Sequence, residues 1–214
     1  MFALVGRAIS QWSLVELSLC NIFTVCVISC PSRPGPDGGF VSFIDSQVPT
    51  AIFYSVENFR SKLGLVDSAV TARIPPSGQW ALDLRSDWAK LYHKVRKLSL
   101  KRNQLAHWTV IPAIPADEDG PHPAKLMPPY GSPGWWKETG ANPEGIAKSM
   151  KQVGDWVRAF GLIDEKLRAF QRTLALHPRL IDRYDQLTVR LIRSHDRLSP
   201  TRGEWIRRQL SSPE

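Results

Sequence analysis

The chain has 214 residues, enough for one domain with a proper core or for one domain plus an appendage. It is 43% hydrophobic and 22% charged, the composition of an ordinary soluble globular protein. A formal net charge of +8 and a pI of about 9.7 point to a polyanionic partner, or simply to a basic soluble protein.

The first helical segment spans about residues 5–30. Its apolar stripe is Val5, Ile9, Trp12, Glu16, Leu19, Phe23, Cys26 and Cys30, in alternating steps of four and three. The run 14–30 resembles a membrane span, but Glu16 and Asn21 interrupt it. It also lacks a basic start and a small-residue cleavage site, so a buried helix is the better reading, with no membrane involved. Cys20, Cys26 and Cys30 are crowded onto this one segment, which is not a disulfide framework. Cys26 and Cys30 have a spacing that could share a metal, but no second pair completes a site. They read as small core residues in a reducing compartment.

"PSRPGPDGG" (31–39) breaks this helix. The second segment covers about 47–72, with the stripe Ile52, Val56, Phe59, Leu63, Val66 and Val70, and "RIPPSG" ends it. The third covers about 80–111, with the stripe Leu84, Trp88, Leu91, Val95, Leu98, Arg102 and Leu105. The fourth opens at Asn142 as N-cap with Pro143 in its first turn. It continues through Ile146, Met150, Val153, Val157, Phe160, Ile163, Leu167, Phe170 and Leu174. No segment alternates with period two, so the expected fold is all-α, an antiparallel four-helix bundle over residues 1–176.

Two pieces lie outside the four stripes. The connection 112–142 carries a cluster of prolines and glycines and the pair Trp135-Trp136. It is long for a compact bundle, and the tryptophans either pack back on it or stack on a partner. The tail, 177–214, keeps apolar residues at Leu180, Tyr184, Leu187 and Leu191 and reads as one or two further helices. Residues 166–208 hold 11 Lys+Arg against 4 Asp+Glu, so the tail end carries nearly all of the positive excess. Arginine dominates it, a residue whose planar fork suits phosphate and which also serves on solvated helix faces.

Chemistry concentrates at the end of the third segment, "KRNQLAHW" (101–108). On a helical wheel Lys90, Lys94, Lys97 and Lys101 form one basic stripe, while Arg102 falls inside the apolar seam. A buried guanidinium is costly unless paired or solvated. Arg102 can pair with Glu16, the other charge on a predicted seam; it can reach water past the seam; or it can line a polar cleft where two subunits meet and a phosphate binds. Asn103 and His107 share a neighbouring face. Taken alone, His107 reads first as a structural histidine. Within a regular helix Arg102 and His107 point about 140° apart, so they converge only at a helix end or across a two-fold axis.

Arg102-Asn103-x3-His107, near the end of the third long helix of a helical bundle, resembles the Arg-x(4–6)-His motif of HEPN domains. In that family the arginine is often followed by Asn, Asp or His. The stretch "AIFYSVENFRSKLGLVD" (51–67) also has a general likeness to the second helices of bacterial proteins bearing this motif. The resemblance covers about residues 5–175. It implies a metal-independent endoribonuclease with no cofactor, of the kind found as toxins and in antiviral defence, cytoplasmic and homodimeric, with one cleft built from two protomers. It implies Arg102 and His107 as catalytic, with Asn103 orienting His107 or touching a phosphate. Lys94, Lys97 and Lys101 are then the RNA-binding stripe, and Glu16 a supporting residue. An antitoxin protein would be a further partner. Thr109 stands where some members carry a tyrosine that a partner enzyme modifies with AMP, so that form of silencing is not implied here. The alternative is a non-catalytic helical module that binds a protein or a nucleic acid through its basic tail and its tryptophan loop.

Overall fold

The computed structural model describes residues 1–28, 33–34, 40–41, 46–117, 120–129, 147–177 and 180. The described protein is mostly helical, with five helices and short antiparallel strands.

Helix α1 (Phe2–Val27) is the central element and packs most extensively against the helix at 150–176. Its buried stripe is Ala8, Trp12, Val15, Leu19, Ile22 and Cys26. Trp12, Leu19, Phe23 and Cys26 of the expected stripe are buried, but Ile9 lies 44% exposed and Glu16 is only half-buried. The stripe is turned because both the helix at 150–176 and the one at 59–73 pack against α1, so burial follows two neighbours instead of one. By length and composition α1 could cross a membrane, yet half of that stretch is buried within the protein.

A two-residue pair of strands, β1 (Arg33–Pro34) and β2 (Phe40–Val41), follows. The single helix expected over 47–72 is two: α2 (Gln47–Ser55) and α3 (Phe59–Arg73). Asn58 divides them. Its backbone is extended and its side chain accepts the Ser61 amide at 2.8 Å, an N-cap that satisfies one of α3's free N–H groups. The break also turns α2, so Phe53 is buried and Ile52 is exposed.

Helix α4 (Gln79–His107) starts at Gly78, whose φ of 99° suits a residue without Cβ. Arg85 closes the α3–α4 turn by donating to the carbonyls of Thr71, Ile74 and Pro75, groups that the end of α3 leaves unbonded. Leu84, Trp88, Val95, Leu98 and Leu105 are buried as the spacing predicts.

α4 stops at His107 instead of running to 111. Thr109, Val110 and Ile111 are β-branched and form β3 (Thr109–Ile111), which pairs with β6 (Lys125–Met127). β6 in turn pairs with β7 (Lys148–Ser149), and Leu126 at the centre of this sheet is fully buried. Between them, β4 (Ile114–Asp117) and β5 (Gly120–His122) make a hairpin. The connection expected to be loop throughout thus carries strands. Trp135, Trp136, Asn142, Pro143 and Ile146 lie outside the described residues.

Helix α5 (Met150–Leu176) begins at Ser149, whose side chain accepts the Gln152 amide while Gln152 reaches back to the Ser149 amide. Val153, Phe160, Ile163, Leu167, Phe170 and Leu174 are buried as expected, and Met150 is not. Of the tail expected to be helical, only Leu180 beyond His177 is described, and it is buried.

Contacts fix the helix directions. Trp12 meets Phe59 and Phe160, Glu16 meets Lys62, and Ser18 meets Asp164, so residue number rises in step along α1, α3 and α5. Asp67 meets Trp88, and Thr71 meets Arg85, so α4 runs against α3. Trp80 stacks on His177 and Trp88 on Phe170, so α4 also runs against α5. The antiparallel expectation therefore describes α3, α4 and α5. α1 departs from it: it lies along α3 and α5 in the same direction, and the chain returns to the other end before α3 begins.

Candidate functional site

Between the first turns of α3 and the second half of α4 lies a cleft of about 730 Å³, with Glu16 of α1 among its lining residues. α3 contributes Asn58, Phe59, Arg60, Lys62 and Leu63, and Glu57 just before them. α4 contributes residues from Tyr92 to Asn103, among them His93, Arg96, Lys97 and Arg102. Five permanent cations thus face two carboxylates. The antiparallel packing of α3 on α4 creates this arrangement. The cap at Asn58 matters too, because it sets where the first turn of α3 starts.

Glu16 is occupied. It accepts the Trp12 indole N–H at 2.9 Å and the Lys62 ammonium at 3.4 Å. The Lys62 ammonium also stands 5.1 Å from the Tyr54 ring and 5.5 Å from the Phe53 ring. The pairing of Glu16 with Arg102, one of the three explanations for that cation, is not formed. Lys62 takes the position, reaching Glu16 from α3 because α1 and α3 lie side by side in register. Arg60, Arg96, Lys97 and Arg102 have no carboxylate partner among the described residues.

Arg102 is half-buried and lines the cleft, with exposed Asn103 beside it. Because no ion pair is broken, Arg102→Ala is expected to change the unfolding free energy by less than about 1 kcal/mol, as for a half-buried charge that has no carboxylate partner among the described residues. A paired buried arginine would cost roughly 3–5 kcal/mol. A urea titration separates the two, and a loss in the larger range would mean that Arg102 holds a partner.

His107 is exposed and does not line the cleft. It closes α4, and the helix is regular to that point, since the Trp108 amide still bonds to the Gln104 carbonyl at 2.9 Å. No distortion brings His107 round to Arg102, so the divergence within one chain stands. Asn103 and His107 do share a face, one turn apart.

The lysine stripe divides. Lys97 lines the cleft. Lys94 is exposed outside it, and Lys101 lies over the Trp156 ring of α5 at 5.8 Å. The sequence reading missed Arg60, Lys62, Arg96, His93 and Tyr92. A signal for part of this set was available: Arg96, Leu100, Asn103 and His107 follow one another in steps of four, three and four, the mark of one helix face.

Among the described residues no group of three or more His, Cys, Asp or Glu side chains is placed to hold a metal ion. Cys20 and Cys26 are free and buried, and Cys30 lies outside the described residues. Burial pushes the Cys26 thiol up to about 12, with the Arg73 cation opposing it, and burial raises Cys20 as well. The native state therefore keeps the Cys26 proton where an unfolded chain would lose it. That contribution to stability is complete below about pH 9, the ordinary thiol value, and fades as pH rises from there towards 12. At pH 8 the native protein should leave Cys26 unalkylated by iodoacetamide, and urea should expose it, as peptide mass mapping would read. Fast native labelling of Cys26 would contradict its burial.

Comparison of the chain with protein-family models, with curated proteins and with solved structures returned no match. What the geometry defines is a class: a mostly helical protein with a cation-lined cleft between two antiparallel helices.

Proposed function

We propose that the protein is a metal-independent endoribonuclease of HEPN type. The supporting observation is that Arg102 and Asn103 open onto the cationic cleft near the end of α4, with His107 one turn further along the same helix. On this reading α1, α3, α4 and α5 correspond to the four helices of the bundle. The direction of α1 is accommodated by a long crossover, a connection that such bundles use. α1 is then a core helix of a cytoplasmic protein.

RNA carries its own nucleophile, the 2′-OH, so the reaction needs proton movement and charge stabilisation. An imidazole moves protons near neutral pH, which is the role of His107. The Arg102 guanidinium offsets the negative charge that builds on the pentacoordinate phosphorus. Asn103 orients His107 or contacts a phosphate oxygen. Attack of the 2′-OH on the adjacent phosphorus expels the 5′-oxygen, which takes up a proton. His107 and Arg102 diverge within one chain, so the functional unit is a homodimer in which one protomer's His107 serves the other's cleft. A toxin or antiviral-defence role, with an antitoxin partner, follows the same resemblance.

The test is incubation of the purified protein with RNA in excess EDTA. Cleavage is expected to persist and to leave 2′,3′-cyclic phosphate or 3′-phosphate ends with 5′-OH ends, read by mass spectrometry. Cleavage abolished by EDTA, or 5′-phosphate products, would refute the mechanism. A second reading draws on His107 lying outside the cleft: a non-catalytic module that binds a protein or nucleic acid through its basic tail. It predicts binding without cleavage, and loss of binding when 178–214 is removed.

A further inference from the structure

The lysine stripe is the sequence's obvious candidate for RNA contact, yet the structure turns most of it away from the cleft. Lys101 is engaged with Trp156, Lys94 is outside, and Lys90 is paired with Asp87 at 3.0 Å. The cations that do share the cleft come from two helices. Arg60 stands in the first turn of α3, where the helix end adds partial positive charge. Arg96 and Lys97 stand opposite on α4, and Arg102 lies at the far end. All four are without a carboxylate partner among the described residues.

We infer that Arg60 and Arg96 form a phosphate subsite for the backbone of single-stranded nucleic acid, next to the position served by Arg102. Three features favour a strand over an isolated anion. The lining of α4 from Tyr92 to Asn103 extends about 16 Å along the helix axis. Arg96 lies about 9 Å before Arg102 on that axis, far enough to meet a neighbouring phosphate instead of the same one. Phe59 and Tyr92 add half-buried aromatic rings to the same walls, and a cationic groove with aromatic side chains is how sequence-tolerant single-strand binders hold their ligand. Unpaired like charges gathered in one cleft repel each other, and a polyanion relieves this.

The subsite extends the ribonuclease reading and rests on it for the substrate, but binding tests it apart from catalysis. The probe is a short fluorescent 2′-O-methyl oligoribonucleotide, which lacks the nucleophile, and the readout is anisotropy across a salt series. Arg60→Ala and Arg96→Ala should each weaken binding roughly tenfold, the scale of one charge-assisted contact. Each should also flatten the slope of log K against log salt by about 0.7. Arg60, Arg96 and Lys166 are all exposed, so folding is not at stake, and Lys166→Ala, on α5 away from the cleft lining, should leave affinity and slope unchanged. The inference is overturned if the Arg60→Ala/Arg96→Ala double variant binds as the parent does. It is equally overturned if Lys166→Ala costs as much as either arginine, or if an acidic peptide competes as well as the oligonucleotide. Arginine-dependent binding by a protein that leaves ordinary RNA intact would keep the subsite and remove the ribonuclease. RNA cleavage with arginine-independent binding would do the reverse.

Discussion

His107→Ala is expected to lower the rate of RNA cleavage by at least about a hundredfold, the lower end of what a positioned acid or base contributes. Arg102→Ala should cost about a hundred- to a thousandfold, as the loss of a preorganised cation at the reacting phosphate does. Neither should unfold the protein: His107 is exposed, and Arg102 has no carboxylate partner among the described residues. The two inactive variants also make a sharper experiment when mixed. If each cleft takes Arg102 from one protomer and His107 from the other, a mixed dimer rebuilds one intact site out of two. Random re-pairing at equal amounts then restores about a quarter of the parent activity. No recovery, despite proven subunit exchange, would sink the shared-site geometry. Full activity of His107→Ala on its own would end the ribonuclease assignment.

The parts of this arrangement differ in how plainly the sequence carries them. The α4 seam was legible because a long helix packed on two sides repeats its apolar spacing many times. The stripe on α1 was misread by a partial turn. Trp12, Leu19 and Cys26 fit two overlapping stripes, and only the neighbours decide between Ile9 and Ala8. The break at Asn58 was hidden because Ile52, Val56, Phe59 and Leu63 keep helical spacing across it by coincidence. Strands of two to four residues are too short to display alternation. In the cleft, the α4 wall can be read from one helix face. The opposite wall cannot: Arg60 and Lys62 reach it through the packing of α3 on α4, and periodicity does not say which helices face each other. The same limit explains Glu16. Two charges on predicted seams invited pairing with each other, whereas the register of α1 on α3 delivered Lys62.

That register depends on Trp12, and removing it should be the costliest single change to the fold. The ring is 2% exposed and sits between Phe59 of α3 at 4.9 Å and Phe160 of α5 at 5.0 Å, so it holds three helices at one level. Truncation to alanine removes its buried area and leaves a cavity that three helices can close only partly. The expected loss is about 3–5 kcal/mol of unfolding free energy. The indole N–H also donates to Glu16, so Trp12→Phe keeps most of the packing and removes that bond alone. With the carboxylate still held by Lys62, the phenylalanine variant should lose about 1–2 kcal/mol. The ordering of the two, read from urea midpoints at equal m-values, tests whether packing or the hydrogen bond dominates. Equal losses would assign the effect to the Glu16 contact, and a loss below about 1 kcal/mol for alanine would mean that α1, α3 and α5 do not meet at this residue. The consequence reaches function through Lys62. With Trp12 gone, Glu16 and its lysine lose their backing beside Arg60, so the alanine variant should bind the 2′-O-methyl oligonucleotide more weakly even where it remains folded, and the phenylalanine variant should not.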